Sequence, residues 1–276
     1  MMKTFLKGLT ALGMGLGLSF AAQAAEYPVH EPIELDWSFS GPFGTYDNAQ
    51  LQRGFQVYRE TCSACHGLNR VAIRNLEAFG YSEEQIIALA AEYEVEDGPD
   101  SFGDMFFRPA TPADRFPSPF ANAQAAASAN NGAVPPDLSL IAKARAAERG
   151  FPRFVIDIFT QYAELGPDYI YSLLQGYEEA PEGYEVQPGT YYNPYFLAGT
   201  SLAMPQPLFD GMVAYNDGSP ETIDQYSRDV AAFLMWAAEP HLETRKQTGF
   251  VVMIFLALFG GLVYLTKRKV WSSVPH

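Results

Sequence analysis

Apolar positions recur at helical spacing in four stretches of the chain. In "DNAQLQRGFQVYRETC", Leu51, Phe55 and Tyr58 fall on one face. Asp47 or Asn48 can cap the first turn, and the helix runs straight toward Cys62. "YSEEQIIALAAEY" opens on Ser82 with Gln85 three residues on, the pattern of a capping box. "PDYIYSLLQG" predicts a short helix that stops at Gly176. "SPETIDQYSRDVAAFLMWAAEP" is the clearest of the four. Ser219 can cap, Pro220 suits the first helical position, Glu221 opposes the dipole and Pro240 ends the run. Ile223, Tyr226, Val230, Phe233 and Ala237 share its apolar face. Between these helices, 102–136 and 177–207 are dense in proline, glycine and aromatics. Segments so aromatic are not disordered chain, and loops of that length need something to pack on. Strand signals are few and no repeat is visible. The pattern predicts a mainly α domain whose long loops wrap a large apolar object.

The two ends differ from the middle. Residues 249–266 are 18 positions without a charge, about 27 Å as a helix, just enough for a bilayer core. Arg245 and Lys246 flank one side, and Lys267, Arg268 and Lys269 the other, with Tyr264 and Trp271 suited to the interface. A buried core helix seldom has basic clusters at both ends. At the N-terminus, Lys3 and Lys7 precede an apolar run over 9–20, and Ala22 and Ala24 suit a cleavage site. That is the make-up of a secretory signal removed after Ala24, rather than an arginine-rich transit peptide or a span. It places the large N-terminal part outside the membrane. The chain is thus expected to divide into a signal peptide (1–24), an exported domain (25–247), an anchor (248–267) and a short cytoplasmic tail (268–276).

Charge sharpens this division. Eleven of the 18 basic residues and all 32 acids lie in 25–244, giving that part a formal charge of −21. Nucleic acid is excluded as a partner. A field of that sign speeds encounter with a basic protein, although it also serves plain solubility.

The candidate chemistry is in "TCSACH". Cys62 and Cys65 are the only cysteines, and His66 follows directly. Cys-x-x-Cys-His is the attachment pattern of c-type haem: two thiols add to the vinyl groups and the histidine is aimed at the iron. A zinc site would need more thiolates or a paired histidine. A thioredoxin-like dithiol would follow a strand in a βαβ unit, whereas a helix precedes this motif. An inert disulfide is the blandest rival. With His66 as fifth ligand, the sixth remains to be found. His30, His241 and His276 sit near the ends of the exported part or beyond it. Met14 is in the signal, Met253 in the span, and Met235 inside a helix. Met105, Met204 and Met212 remain. Met204 lies in "SLAMPQP", where Pro205 and Pro207 forbid a helix and stiffen the segment. Ligation by histidine and methionine raises the potential and closes the iron to substrates, which favours electron transfer. Haem propionates need donors, and Arg145 and Arg108 lie beside apolar residues, with a surface salt bridge the ordinary alternative for each and the favoured one for Arg108.

These residues carry a resemblance. Over about 37–271, "CSACHGLNRVAIRNL", "EVEDGP", "ANNGAVPPDLSLIAKAR", "DYIYSLLQGY", "YYNPYF", "AMPQPL" and "DVAAFLMWAAEP" resemble the cytochrome c1 family, the anchored haem subunits of the quinol–cytochrome c oxidoreductase (cytochrome b–c1 complex, respiratory complex III). The resemblance implies a class I cytochrome c-like fold, with the helix of 48–60 packed across that of 220–239. It implies one covalent haem c on Cys62 and Cys65, with His66 and Met204 as the iron's ligands. Arg145 and Tyr169 match residues that contact a propionate. Electrons would pass from the Rieske iron–sulfur protein to a soluble or tethered cytochrome c, beside cytochrome b. The chain would sit in a bacterial inner membrane with its haem domain periplasmic. The acidic stretch 92–104 looks like the family's docking region. Two departures stand out. Residues 146–167 look like an insertion. No cysteine pair is left to lock the Met204 loop, which is therefore expected to be held by packing alone. A haem subunit of a terminal oxidase or nitric oxide reductase shares the motif and anchor but not "NNGAVPPDLS". A tethered thiol oxidoreductase is the alternative from another class. One anchor cannot build a quinone pocket, so the chain is not expected to oxidise quinol by itself.

Overall fold

The structure, a computed structural model, describes residues 30–146, 151, 152, 155 and 165–274. The expected signal peptide lies outside them, as do most of 146–167 and His276. Seven α-helices and two small sheets are present among the described residues. The helices are α1 (Asn48–Val57), α2 (Glu83–Ala90), α3 (Ala123–Ala129), α4 (Ile141–Ala144), α5 (Leu165–Gln175), α6 (Ile223–Ala238) and α7 (Leu242–Val270). Each sheet is a two-stranded antiparallel ladder: β1 (Glu94–Asp97) with β2 (Phe106–Pro109), and β3 (Tyr191–Tyr192) with β4 (Ser201–Leu202). Long loops join these elements, so the expected mainly α architecture holds.

The core forms where α1 crosses α6, as the resemblance implied. Gly54 sits at the crossing: a β-carbon there would lie 2.0 Å from the Asp229 carbonyl oxygen. Phe55 is 2 % exposed and Phe233 fully buried, with ring centroids 5.5 Å apart. Phe55 also meets Phe79, Tyr81 and Phe116. A buried phenylalanine contributes about 1.5–3 kcal/mol, so this aromatic cluster is a main source of cohesion. Polar groups reinforce it. The fully buried Asp229 accepts from Arg53 Nε at 2.9 Å, Tyr215 Oη at 2.9 Å and Gln225 Nε2 at 2.9 Å. A buried carboxylate is tolerated when every lone pair is used in this way.

Helix ends follow the sequence closely in two places and depart in a third. Asp47 caps α1 through Ala49 N at 2.9 Å. The capping box of Ser82 and Gln85 is formed in both directions. The start of α6, however, is Thr222 rather than Ser219. Residues 217–221 commit their polar groups to a loop: Asp217 accepts from Ser219 N, Glu221 from Tyr215 N, and the Glu221 carbonyl from Gly211 N. The segment before α1 is tied to the body of the fold. Trp37 Nε1 donates to the buried Asp168 at 2.8 Å, and Leu35 N donates to the same oxygen.

Helix α7 is 29 residues, about 44 Å long, and it is apolar and long enough to cross a membrane. It begins inside the expected exported domain and is rooted there. Leu242 is fully buried, Glu243 accepts from Tyr46 N at 2.8 Å, and Phe43 meets Phe250 edge-on. Lys246, read from sequence as a flanking cation, instead turns inward and donates to the Phe39 carbonyl at 2.5 Å.

Candidate haem site

Helix α1 passes into a single π-helical turn, Tyr58–Cys62, before the chain breaks away. The wider turn delivers Cys62 at its last position, half-buried against the core. Cys65 follows, exposed, and both thiols are free. Burial, and then the neighbouring Cys65, push the Cys62 thiol up to about 12. A dithiol oxidoreductase needs the reverse, a thiolate made easy. The raised Cys62 thiol argues against the redox rival.

His66 is fixed at both ends. Its backbone carbonyl accepts from the buried Tyr58 hydroxyl at 2.9 Å. Its ring Nδ1 lies 2.8 Å from the Pro136 carbonyl oxygen. A carbonyl can only accept, so Nδ1 carries the proton and Nε2 presents its lone pair. Burial lowers the pKa of His66, against the opposing Pro136 bond and Asp137 charge, a direction that favours the uncharged ring. The whole 136–139 segment is stitched along 66–70. Leu138 N donates to the Gly67 carbonyl, Asn69 N to Asp137, and Arg70 N to Ser139 Oγ. Tyr58 was read from sequence only as part of the apolar face of its helix, and Pro136 and Asp137 were not singled out. Only the extended backbone forced by Pro135 and Pro136 hinted at carbonyls left free to accept.

The second half of the site is built on α5. Gly166 fits so tightly on Ala142 that a β-carbon would lie 1.6 Å from its carbonyl oxygen. That contact seats α4 on α5 and brings Arg145, just past α4, toward Tyr169. Burial raises the pKa of Tyr169, while the Leu197 N–H and the Arg145 charge pull it down. Arg145 itself is exposed and Tyr169 is 3 % exposed. Met204 is half-buried against the same core as Cys62. The expectation that packing alone holds its loop is corrected. Strand β4 is hydrogen-bonded to β3 just before it, Tyr184 Oη meets Thr200 Oγ1 at 2.6 Å, and Tyr177 Oη donates to the Met204 carbonyl at 3.1 Å. Asn193 Nδ2 ties the hairpin to α5 through the Leu173 carbonyl at 2.8 Å.

The other candidates go elsewhere. Arg108 on β2 is taken by Asp97 on β1 at 2.5 Å and by Asp114, in the turn beyond β2, at 2.7 Å. Met105 and Met212 are 54 % and 47 % exposed, and Met235 is buried in α6. His30 is exposed and packs edge-on against Tyr195.

The donor set fits a c-type haem: two free thiols at the right spacing, an imidazole whose Nδ1 is committed to a carbonyl, and a thioether two residues beyond a paired strand. A helical domain presenting that set on one membrane-length helix defines an anchored c-type cytochrome. The Cytochrome C1 family profile matches residues 37–274, and the chain belongs to that family. It is 47 % identical over 292 residues to cytochrome c1 of Rhodospirillum rubrum, covering 100 % of both chains. It is 44 % identical over 255 residues to the mitochondrial cytochrome c1 haem protein of Saccharomyces cerevisiae, covering 92 % of this chain and 76 % of that one. A relative named cytochrome b/c1, from Bradyrhizobium diazoefficiens, is 58 % identical over 247 residues; the match takes in 88 % of this chain but only 36 % of that protein. Members of the family are electron carriers of the cytochrome b–c1 complex rather than catalysts in their own right, and covalent haem binding follows from membership.

Proposed function

We propose that the chain relays single electrons from the Rieske iron–sulfur protein to a cytochrome c at the periplasmic face of a bacterial inner membrane. Haem c, when bound, supplies the reversible one-electron iron couple. The chain's part is to hold and tune it. Cys62 and Cys65 would supply the thioether sulfurs, His66 Nε2 and the Met204 sulfur would hold the iron, and Arg145 and Tyr169 would be the donors to a propionate. The observation that carries this reading is the His66 ring, whose Nδ1 is committed to Pro136 so that Nε2 is left to a metal. The relative named for both cytochrome b and c1 supports cytochrome b as the membrane partner. The acidic hairpin of β1 and β2, within the −21 exported part, suits a basic cytochrome c. The expected boundaries stand as part of the proposal: signal 1–24, haem domain 25–247, anchor 248–267 and tail 268–276.

Isolation in mild detergent tests the assignment. A pyridine haemochrome spectrum should give thioether-linked haem that acidified acetone does not extract, and cytochrome b and the Rieske protein should co-purify. Met204→Leu should keep the covalent haem, lower the midpoint potential sharply and stop turnover. A normal potential in that variant moves the sixth ligand to another residue, and extractable pigment removes the proposal altogether.

A further inference from the structure

Resting on the reading of Met204 as a ligand, we infer that Tyr177 is the positioning residue that keeps this methionine on the iron, taking the place of a covalent lock on its loop. Met204 stands between two kinds of restraint. On its N-terminal side the chain is laddered, with Tyr191 opposite Leu202, Tyr192 opposite Ser201, and Asn193 N donating to the Thr200 carbonyl at 2.9 Å. On its C-terminal side Pro205 and Pro207 have no N–H to offer any ladder. Gln206 turns its side chain to the Leu208 carbonyl. The strand pairing therefore stops before the ligand, and the Met204 carbonyl would face its proline neighbours unassisted. Tyr177 Oη donates to that carbonyl at 3.1 Å from 27 residues away.

The other end of this strut is rigid as well. Tyr177 follows Gly176, where a β-carbon would lie 2.4 Å from the Tyr195 ring and 2.8 Å from Asn193 Oδ1. Close approach of two chain segments fixes that point, so only glycine fits. Helix α5 ends there, and the same helix carries Tyr169 beside Arg145. One aromatic side chain thus joins the end of the helix expected to hold the propionate to the segment expected to hold the ligand. A phenol has two side-chain torsions and loses little freedom as a brace. Burial raises the Tyr177 pKa, so the hydroxyl stays a donor across the working range.

Ferric iron holds the soft thioether weakly, so slack in the Met204 segment appears first in the oxidised protein. The test uses the intact anchored protein with haem attached. In Tyr177→Phe, which keeps the ring and its apolar contacts, the far-red methionine-to-iron(III) charge-transfer band should weaken. Added imidazole should bind the ferric form about two- to tenfold more tightly, the equivalent of one lost hydrogen bond. Tyr177→Leu should do both more strongly. A wild-type band retained in full by Tyr177→Phe and Tyr177→Leu, with unchanged imidazole affinity, overturns the brace while leaving Met204 as ligand. A wild-type protein that lacks the band overturns the ligand assignment itself, and the brace with it.

Discussion

Replacing Gly54 by alanine puts a methyl group into the crossing of α1 and α6. The new carbon would lie 2.0 Å from the Asp229 carbonyl oxygen and 2.7 Å from both the Asp229 carbonyl carbon and Phe233 Cβ, where ordinary contact begins at 3.4 Å. The helices must part locally by about 1.4 Å. Two of the three crowded atoms are backbone, so no rotamer change relieves them. Parting the helices also loosens the Arg53–Asp229 pair and the Phe55–Phe233 contact. Overpacking of a tight core costs about 1–3 kcal/mol, and the upper end applies here. Alanine's better helix propensity returns about 1 kcal/mol. The net loss is therefore about 2 kcal/mol, a fall in midpoint of about 4–8 °C for a domain of this size. Thermal unfolding of the haem-loaded, detergent-solubilised variant, followed by circular dichroism, measures it. Propensity alone predicts the opposite sign, so an unchanged or raised midpoint would show that the two helices do not meet at this residue.

Other outcomes follow from the same contacts. Asp217 is held down to about 2, against an ordinary 3.8, first by the Ser219 N–H and then by Arg53. For a depressed acid the stabilisation is present above pH 3.8 and disappears as pH falls through 2. Asp217→Asn should thus be less stable than wild type above pH 4, with the gap closing toward pH 2 in acid unfolding curves; a gap that persists at pH 2 contradicts the pairing. Lys246→Met leaves the Phe39 carbonyl without its buried donor. Hydrogen exchange at the Thr45 amide, which donates to Ser38 nearby, should quicken on the order of tenfold; an unchanged rate would mean that the anchor root is held without Lys246.

Local chemistry was legible without a fold. The spacing of Cys62, Cys65 and His66 identifies a haem motif because the covalent geometry of attachment operates within five residues. Capping by Asp47 and Ser82, and the apolar face of α6, are likewise short-range effects of spacing. Arg108 shows the limit. Its neighbours along the chain left a propionate and a surface salt bridge both open, and only the fold brings Asp97 and Asp114 to the guanidinium. Lys246 shows it again: sequence placed it at a membrane rim, while the docking of α7 against 39–46 buried it.

The amino-acid order alone determined the class of cofactor, the membrane-length helix and the period of the main helices, since each depends on neighbours along the chain. Tertiary structure decided which imidazole nitrogen is available, what braces Met204, and where the anchor is rooted. Those outcomes depend on carbonyls and hydroxyls such as Pro136 and Tyr177, tens of residues away. Every residue has a carbonyl, so no sequence pattern marks the one that folding brings within hydrogen-bond reach.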